Sequence, residues 1–173
     1  AISSLNIKDY PSKIFTSFND IPKSKILVYL SENNDIRYAN LKGKEYIHEN
    51  LKNLRQCIKS SKARIIYASS SSVYSDMENQ ILKPSDLVQP NSIYEKSKLK
   101  CEREVIELGG TVARISNVYG IGMSSSNVIS EIVSQLKNHK ITVNDGSPVR
   151  DFIHVQDVAD CIYKMAINPS SGT

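Results

Sequence analysis

The residues of this chain best suited to chemistry are a tyrosine and a lysine four positions apart, Tyr94 and Lys98, in the segment YEKSK. In an α-helix this spacing puts both side chains on one face. A phenol beside an ammonium group makes an acid/base pair, because the positive charge favours the phenolate and lowers the tyrosine pKa. Lowering that pKa from about 10 to about 7 requires roughly 4 kcal/mol of differential stabilisation. One exposed lysine does not supply this, so we expect a buried lysine assisted by a cationic cofactor.

The sequence around this pair predicts the helix that would carry it. Ser92, followed three residues later by Glu95, forms a capping-box pattern typical of a helix start. The Gly-Gly pair at 109–110 marks the end of the helix. Small side chains at Ser97 and Cys101 would let this helix lie close to a sheet. The pair is therefore expected near the start of a helix packed on strands.

The remaining elements alternate between strand and helix. Apolar runs predict strands or extended segments, and helical spacing of apolar residues predicts helices. The strands and extended segments are predicted at 13–16, 26–30, 64–69, 111–116, 141–143 and 149–155, and the helices at 47–58, 93–108, 128–136 and 158–166. This alternation predicts an α/β fold with a parallel sheet and right-handed crossovers. Serines 69–72 follow one of these strands, at the carboxyl end where α/β sheets bind ligands.

Composition excludes several classes of protein. The chain has 173 residues, of which 40% are hydrophobic and 23% charged, as expected for one soluble globular domain. Its net charge of +4 is dispersed, since lysines such as Lys98 alternate with acidic residues such as Glu102 and Glu104 along the predicted helix. Without a basic stripe, nucleic-acid binding is not expected.

The cysteines and the hydropathy of the chain indicate its cellular compartment and whether metal binding or membrane association is expected. The three cysteines, Cys57, Cys101 and Cys161, are isolated and lack metal-ligand spacing. They fit a reducing cytoplasm, and no metal site is expected. No apolar run is long enough to span a membrane, and the chain begins without a signal-peptide pattern, so no membrane association is expected.

Four segments, in this order, resemble the extended short-chain dehydrogenase/reductase family, the NAD(P)-dependent epimerases and dehydratases of nucleotide sugars. They are 67–74 (YASSSSVY), 90–98 (PNSIYEKSK), 114–120 (RISNVYG) and 150–159 (RDFIHVQDVA). The resemblance covers most of residues 26–168. It implies a Rossmann-like doubly wound parallel sheet in a single domain over 1–173, with the substrate-binding part beginning within 117–173.

The resemblance also implies roles for individual residues. Tyr94 would act as the base that removes a sugar hydroxyl proton while a hydride passes to the nicotinamide of NAD or NADP. Lys98 would hold the nicotinamide ribose and depress the tyrosine pKa. Ser70, aligned on the Val-Tyr pair at 73–74, would hydrogen-bond the reacting oxygen, and Ser69 would add a cofactor contact.

A second group of residues is implied to bind the nucleotide-sugar substrate. Asn117 and Arg150 are candidate ligands for its diphosphate, and arginine suits this role because it is always charged and binds bidentately. The alternatives are a turn-stabilising side chain for Asn117 and an ion pair with a neighbouring carboxylate for Arg150. His154 is interpreted as structural and Asp157 as a charge at a helix N-terminus.

The chain departs from the family pattern in its first half. No glycine-rich turn occurs, and the segment GIG at 120–122 lies after the catalytic helix, with Ser125 where a third glycine would stand. Ser31 and Glu32 follow the strand at 26–30, where the family usually has small residues. We therefore expect a partial fold, without the N-terminal βαβ unit and the C-terminal substrate domain, as either a fragment or a natural variant.

Alternatives remain open on function. A non-catalytic binding or regulatory relative is favoured by the missing glycines and opposed by the intact Ser70, Tyr94 and Lys98. A Ser/Lys hydrolase is disfavoured, because no glycine flanks Ser70 as in a nucleophile elbow. Ser71 and Ser72 stand where related dehydratases carry an acidic pair, which favours an epimerase or reductase over a 4,6-dehydratase. The resemblance further implies a cytoplasmic homodimer; the choice of NAD or NADP stays open.

Overall fold

The computed structural model describes residues 21, 23–74, 81–125, 127–137 and 140–173. Its main sheet has three parallel strands in the order β1-β2-β3, namely β1 (Ile26–Tyr29), β2 (Arg64–Ser70) and β3 (Thr111–Ile115). The chain between these strands forms α1 (Ile36–Lys42), α2 (Lys44–Ser61), a 3₁₀ turn (Ser71–Tyr74) and α3 (Ile93–Glu107). This arrangement confirms the predicted parallel α/β fold.

A second parallel pair follows the main sheet. It consists of β4 (Asn117–Tyr119) and β5 (Phe152–His154), with α4 (Val128–Ser134) between them and α5 (Val155–Ile167) after them. The pair begins at Asn117, where the substrate-binding part is predicted to start, and that role stays a prediction. None of the described helices is both long and apolar enough to cross a membrane.

The core lies where α2 and α3 pack on the sheet. Its members are buried apolar side chains contributed by the strands and by both helices: Tyr29, Leu54, Cys57, Ile65, Tyr67, Cys101, Val105 and Val112. Because the small Ser97 and Cys101 side chains are fully buried on the inner face of α3, this helix comes close to β2. The sheet and α2 thus fix the position of the helix that carries Tyr94 and Lys98.

The start of α3 is the predicted capping box. The Ser92 hydroxyl accepts a hydrogen bond from the Glu95 backbone N–H at 3.1 Å, and the Glu95 carboxylate accepts one from the Ser92 N–H at 3.0 Å. The helix ends before Gly109, whose φ of 75° is a left-handed conformation that favours glycine. Both helix-end predictions are confirmed.

Two local features of the structure differ from what the sequence predicts. The polar stretch after β1 contains α1, which begins where the Asp35 carboxylate caps the N–H groups of Arg37 and Tyr38. Residues 117–119, for which the sequence predicts no separate strand, form β4. The predicted strand at 13–16 lies outside the described residues.

The predicted strand at 141–143 was wrong. No strand forms at these residues, because a side chain takes the place of a strand partner. The Gln135 amide accepts a hydrogen bond from the Thr142 N–H at 2.8 Å and donates one to the Thr142 carbonyl at 2.9 Å. The backbone groups of Thr142 are therefore satisfied without a sheet.

Gly110→Ala is expected to lower the free energy of unfolding by about 1–3 kcal/mol, the usual cost of overpacking. A Cβ atom at Gly110 would lie 2.6 Å from Val105 Cγ1 and 2.9 Å from the Ile65 carbonyl oxygen, and that backbone atom has little room to move. Urea unfolding measures the change. Gly146→Ala is the matched control, since its Cβ meets nothing within 4 Å; an equal effect of both variants would contradict the packing argument.

Candidate active site

Tyr94 and Lys98 lie one turn apart on α3, at the carboxyl end of β2. Only 8% of Tyr94 and 4% of Lys98 is exposed. The Tyr94 ring packs in a buried cluster with Ala39 of α1 and Tyr46 of α2, and Lys98 Nζ donates a hydrogen bond to the Ala68 carbonyl of β2 at 3.0 Å. The phenol and the ammonium group are therefore held in the interior, unlike an ordinary surface pair.

Ser70, the last residue of β2, brings a hydroxyl to this pair. This hydroxyl lies close to the Tyr94 phenol and lowers its pKa. It also lies 3.0 Å from Ser72 Oγ and accepts a hydrogen bond from the Ser72 N–H at 3.2 Å. The structure thus brings Ser70, Tyr94 and Lys98 together, while their catalytic roles stay predictions.

Lys98 forms an ion pair with Glu32, a residue for which the sequence predicts no role. Glu32 follows β1 by three residues, and its Oε2 lies 2.7 Å from Lys98 Nζ. Only 6% of the lysine side chain and 2% of the glutamate side chain are exposed. Glu32 Oε1 accepts a hydrogen bond from the Tyr67 hydroxyl at 2.8 Å. The sequence signal was the glutamate itself, standing where small residues were expected.

The pKa of Tyr94 differs from the sequence-based expectation. Burial raises it to about 12; the Ser70 hydroxyl lowers it, and the negative charges of Glu32 and Glu95 raise it further. The expected depression by Lys98 does not occur in this structure, because the ammonium group is paired with Glu32. Tyr94 is therefore a protonated phenol near neutral pH.

The hydroxyl of Ser69, a predicted cofactor contact, is committed to a structural network. It donates to Glu102 Oε1 at 2.5 Å. Arg114 of β3 forms an ion pair with Glu102 at 2.7 Å and stacks on the Tyr74 ring, 4.6 Å from its centroid. Only 1% of Glu102 is exposed, so this residue faces the interior, where a carboxylate is almost never found without a partner. The network fixes the strand end that presents Ser70.

Asn50 is a second residue to which no role was assigned. Its amide donates a hydrogen bond to the Ser97 hydroxyl at 3.1 Å, and both residues are buried. This bond joins α2 to α3 one residue before Lys98. Asn50 therefore helps to set the position of α3, and the only sequence signal for it was an amide inside an apolar helix face.

The candidate substrate residues lie around the second sheet. Asn117 is exposed, and its amide donates to the Asp151 carbonyl at 3.0 Å; Arg150 is exposed in the segment before β5. His154 Nδ1 accepts a hydrogen bond from the Gln156 N–H and caps α5. The structural interpretation of His154 therefore agrees with its geometry. The structure does not bring Asn117 or Arg150 into contact with Tyr94 or Lys98 through any described hydrogen bond or ion pair.

Beside the pair lies an open, polar cleft of about 320 Å³. It is lined by carboxylates, amides and phenols from the β1–α1 loop, α1 and α2: Ser31, Glu32, Asn33, Tyr38, Tyr46, Glu49, Asn50 and Asn53. In the described part of the chain, no group of three His, Cys, Asp or Glu side chains is arranged to hold a metal ion. Asp76 and Glu78, two carboxylates that follow the serine-rich segment in the sequence and could fold back into the site, lie outside the described residues.

Comparison with known proteins places this chain in a family. Residues 10–173 match the model of the NAD dependent epimerase/dehydratase family. The chain is 28% identical over 148 residues to GDP-6-deoxy-D-talose 4-dehydrogenase of Aggregatibacter actinomycetemcomitans, with 80% of this chain and 49% of that protein covered.

Solved structures agree on the fold. RMD from Pseudomonas aeruginosa, complexed with NADPH, has a TM-score of 0.76 and 22% identity, covering 86% of this chain and 56% of that one. MoeE5, in complex with UDP-glucuronic acid and NAD, has a TM-score of 0.70 and 25% identity, covering 86% and 54%. The chain therefore spans about half the length of the proteins it matches. Because the family match extends over nearly the whole sequence, this chain belongs to the NAD dependent epimerase/dehydratase family.

Proposed function

We propose that the complete protein containing this chain is an NAD(P)-dependent nucleotide-sugar epimerase or reductase. The observation that carries the proposal is the buried Tyr94–Lys98 pair beside Ser70, at the carboxyl end of a parallel sheet. Family membership supports the reaction class. The GDP-sugar dehydrogenase and the UDP-glucuronic acid complex among its relatives support a nucleotide-sugar substrate.

In this proposal the chain supplies the proton chemistry. The Tyr94 phenol donates a proton to a carbonyl oxygen during reduction, and its phenolate removes a hydroxyl proton during oxidation. Ser70 donates a hydrogen bond to the same oxygen and holds it beside the phenol. The dinucleotide, when bound, supplies or accepts the hydride. Epimerisation at one carbon is an oxidation followed by a reduction from the opposite face, so it needs no further acid or base.

The Lys98–Glu32 pair fits the ribose of a nicotinamide dinucleotide. Lys98 is a donor, while Glu32 Oε2 is in ionic contact with Lys98 and accepts no regular hydrogen bond from the described residues. A ribose diol offers oxygens that both accept and donate, so it matches this pair. We therefore propose Tyr94 and Lys98 as cofactor-binding residues. A contact from Ser69 would come from its backbone, because its hydroxyl is bound to Glu102.

We assign the nucleotide diphosphate to Asn117 and Arg150. The exposed Arg150 guanidinium can bind two phosphate oxygens, and the Asn117 amide lies on the neighbouring strand β4, opposite the strand that Arg150 precedes. Asn117 on β4 and Arg150 just before β5 share no described hydrogen bond or ion pair with the proton-transfer pair. This agrees with a substrate that has its reacting sugar at one end and its diphosphate at the other.

The proposal includes a cytoplasmic homodimer. The cysteines of the described chain are free thiols, two of them buried, which supports a reducing compartment. The homodimer stays an expectation from the family resemblance.

The test of the proposed function is mass spectrometry of the products formed by the complete protein from UDP-, GDP- and dTDP-hexoses with NAD or NADP. We expect an isomer of unchanged mass or, with reduced cofactor and a keto sugar, a reduced product. Loss of water is not expected, because the residues that follow Ser70 are Ser71 and Ser72, and hydroxyls are poor proton donors near neutral pH. A dehydrated product would contradict the exclusion of a 4,6-dehydratase, and no conversion of any substrate would contradict the enzyme assignment.

The 173-residue chain by itself is expected to bind NAD and NADP weakly. Backbone N–H groups at a helix N-terminus after a glycine-rich turn normally hold the pyrophosphate, and the first glycine of this sequence is Gly43. Titration calorimetry of the chain with each dinucleotide measures the affinity. Low-micromolar binding would contradict the expectation and would show that another segment holds the pyrophosphate.

A further inference from the structure

Glu32 is buried in direct contact with the lysine of the proton-transfer pair. Its Oε2 lies 2.7 Å from Lys98 Nζ, and 2% of its side chain is exposed. The Tyr67 hydroxyl holds the other oxygen at 2.8 Å, and the Ala68 carbonyl holds Lys98 Nζ at 3.0 Å. Because two contacts from β2, one to each partner, fix it, the ion pair is a built part of the site.

This ion pair changes the effect of Lys98 on Tyr94. Lys98 Nζ lies 5.7 Å from the centroid of the Tyr94 ring. An unpaired ammonium group this close to the ring would favour the phenolate and lower the pKa of Tyr94. Glu32 places an opposite charge beside the ammonium group, so most of this field is cancelled. The raised pKa of Tyr94, to which Glu32 contributes, agrees with this geometry.

We propose that Glu32 is a positioning residue that neutralises Lys98 and so holds Tyr94 as a protonated phenol, which sets the site for reduction of a keto sugar. This inference rests on the proposed function and assigns its direction. In the step, the carbonyl carbon accepts a hydride from the reduced dinucleotide, which becomes oxidised. The carbonyl oxygen accepts the phenol proton, so that an alcohol forms, and Tyr94 is left as phenolate until water reprotonates it.

Other titratable groups surround the Glu32–Lys98 ion pair. Among the described residues, Lys98 is the cation placed against the Tyr94 ring, and no second cation contacts it. The groups that face it from β1, α1, α2, β2 and α3 are phenols, carboxylates and a thiol: Tyr29, Tyr38, Tyr46, Glu49, Tyr67, Glu95 and Cys101. The phenols and the thiol are neutral at neutral pH, and the carboxylates Glu49 and Glu95 are present in both the native chain and the Glu32 variant. The variant therefore isolates the effect of the Glu32 charge.

The test is NMR of the chain labelled with ¹³C at the tyrosine Cζ, since this carbon reports phenol or phenolate directly and needs no cofactor. The chain has nine tyrosines, and the Tyr94 signal is the one absent from Tyr94→Phe. We expect that signal to stay that of a phenol up to about pH 10 in the native chain. In Glu32→Gln we expect its titration to shift to lower pH by at least about one unit. An unchanged titration in Glu32→Gln would overturn the proposal.

Further variants separate the charge effect from damage to the fold. Glu32→Asp keeps a carboxylate and is expected to keep the native titration of Tyr94. Glu49→Gln, on another side of the same cleft, is the matched control and is expected to change nothing. If Glu32→Gln fails to fold, the double variant Glu32→Gln/Lys98→Met, which removes both charges, should titrate like the native chain. A Tyr94 titration shifted to lower pH in this double variant would overturn the proposal.

A kinetic measurement on the complete protein distinguishes failure of the inference from failure of the proposed function. Reduction of a keto nucleotide sugar should be independent of pH from about 6 to 10 in the native protein, because the phenol stays protonated, and should decline within that range in Glu32→Gln. If the native protein and Glu32→Gln reduce the sugar with the same pH profile, the proposed function stands and the inference about Glu32 is wrong. If the complete protein turns over no nucleotide sugar, the proposed function is wrong, while the NMR titration still tests the role of Glu32.

Discussion

Tyr94→Phe in the complete protein is expected to lower turnover of the nucleotide sugar by at least about a hundredfold, the usual scale of acid–base catalysis. The substitution removes the hydroxyl that exchanges the proton and keeps the ring that packs against Ala39 and Tyr46. The fold and the affinity for nucleotide sugar should therefore change little. Steady-state kinetics with the preferred substrate, together with calorimetric binding, measure both effects.

The matched control for this variant is Tyr29→Phe. Tyr29 is also buried, and its hydroxyl has no hydrogen-bond partner among the described residues. Removing that hydroxyl should leave turnover unchanged and should not destabilise the fold. Near-native turnover in Tyr94→Phe would remove Tyr94 from the mechanism, and an equal loss in both variants would point to a general effect of losing a buried hydroxyl.

Glu102→Ala is expected to lower the free energy of unfolding by about 3–5 kcal/mol, the scale for breaking a buried ion pair by removing one partner. The Glu102 carboxylate is 1% exposed and binds the Arg114 guanidinium and the Ser69 hydroxyl. The substitution leaves Arg114, of which 10% of the side chain is exposed, without its anion. Urea unfolding followed by circular dichroism measures the loss.

A second arginine–glutamate pair, whose glutamate also lies on α3, provides the comparison. Glu104 binds Arg55 of α2 through two contacts of 2.8 Å, but 61% of the arginine side chain is exposed. Water solvates the arginine after Glu104→Ala, so this variant should change stability far less than Glu102→Ala. Equal effects would mean that burial does not determine the cost of losing these pairs.

The sequence predicted those features that depend on local patterns. The capping box at Ser92 and Glu95 located the start of α3, and the apolar run before Ser70 located β2, so the Tyr94–Lys98 pair was placed on the correct elements. These patterns are short-range, because they follow from backbone hydrogen bonding and from side-chain periodicity. The parallel fold and the family followed from the order of the elements and motifs.

The features that the sequence did not predict depend on tertiary contacts. Glu32 and Glu102 resemble surface charges in the sequence, and each is buried because a cation from a distant element, Lys98 or Arg114, meets it. The pKa of Tyr94 could not be predicted for the same reason, since it depends on how Lys98 is neutralised. At 141–143 the three β-branched residues favour a strand, but the Gln135 side chain takes both backbone hydrogen bonds of Thr142.

The central claim, hydride transfer to a nucleotide sugar at the Tyr94 site, is tested most directly with a reduced dinucleotide that carries deuterium at the transferable position. The complete protein is incubated with this cofactor and a keto nucleotide sugar, and the product is examined by mass spectrometry. Our account predicts that the alcohol product carries the deuterium and that Tyr94→Phe forms almost none of it. An unlabelled product, or a labelled product formed equally well by Tyr94→Phe, would contradict the account.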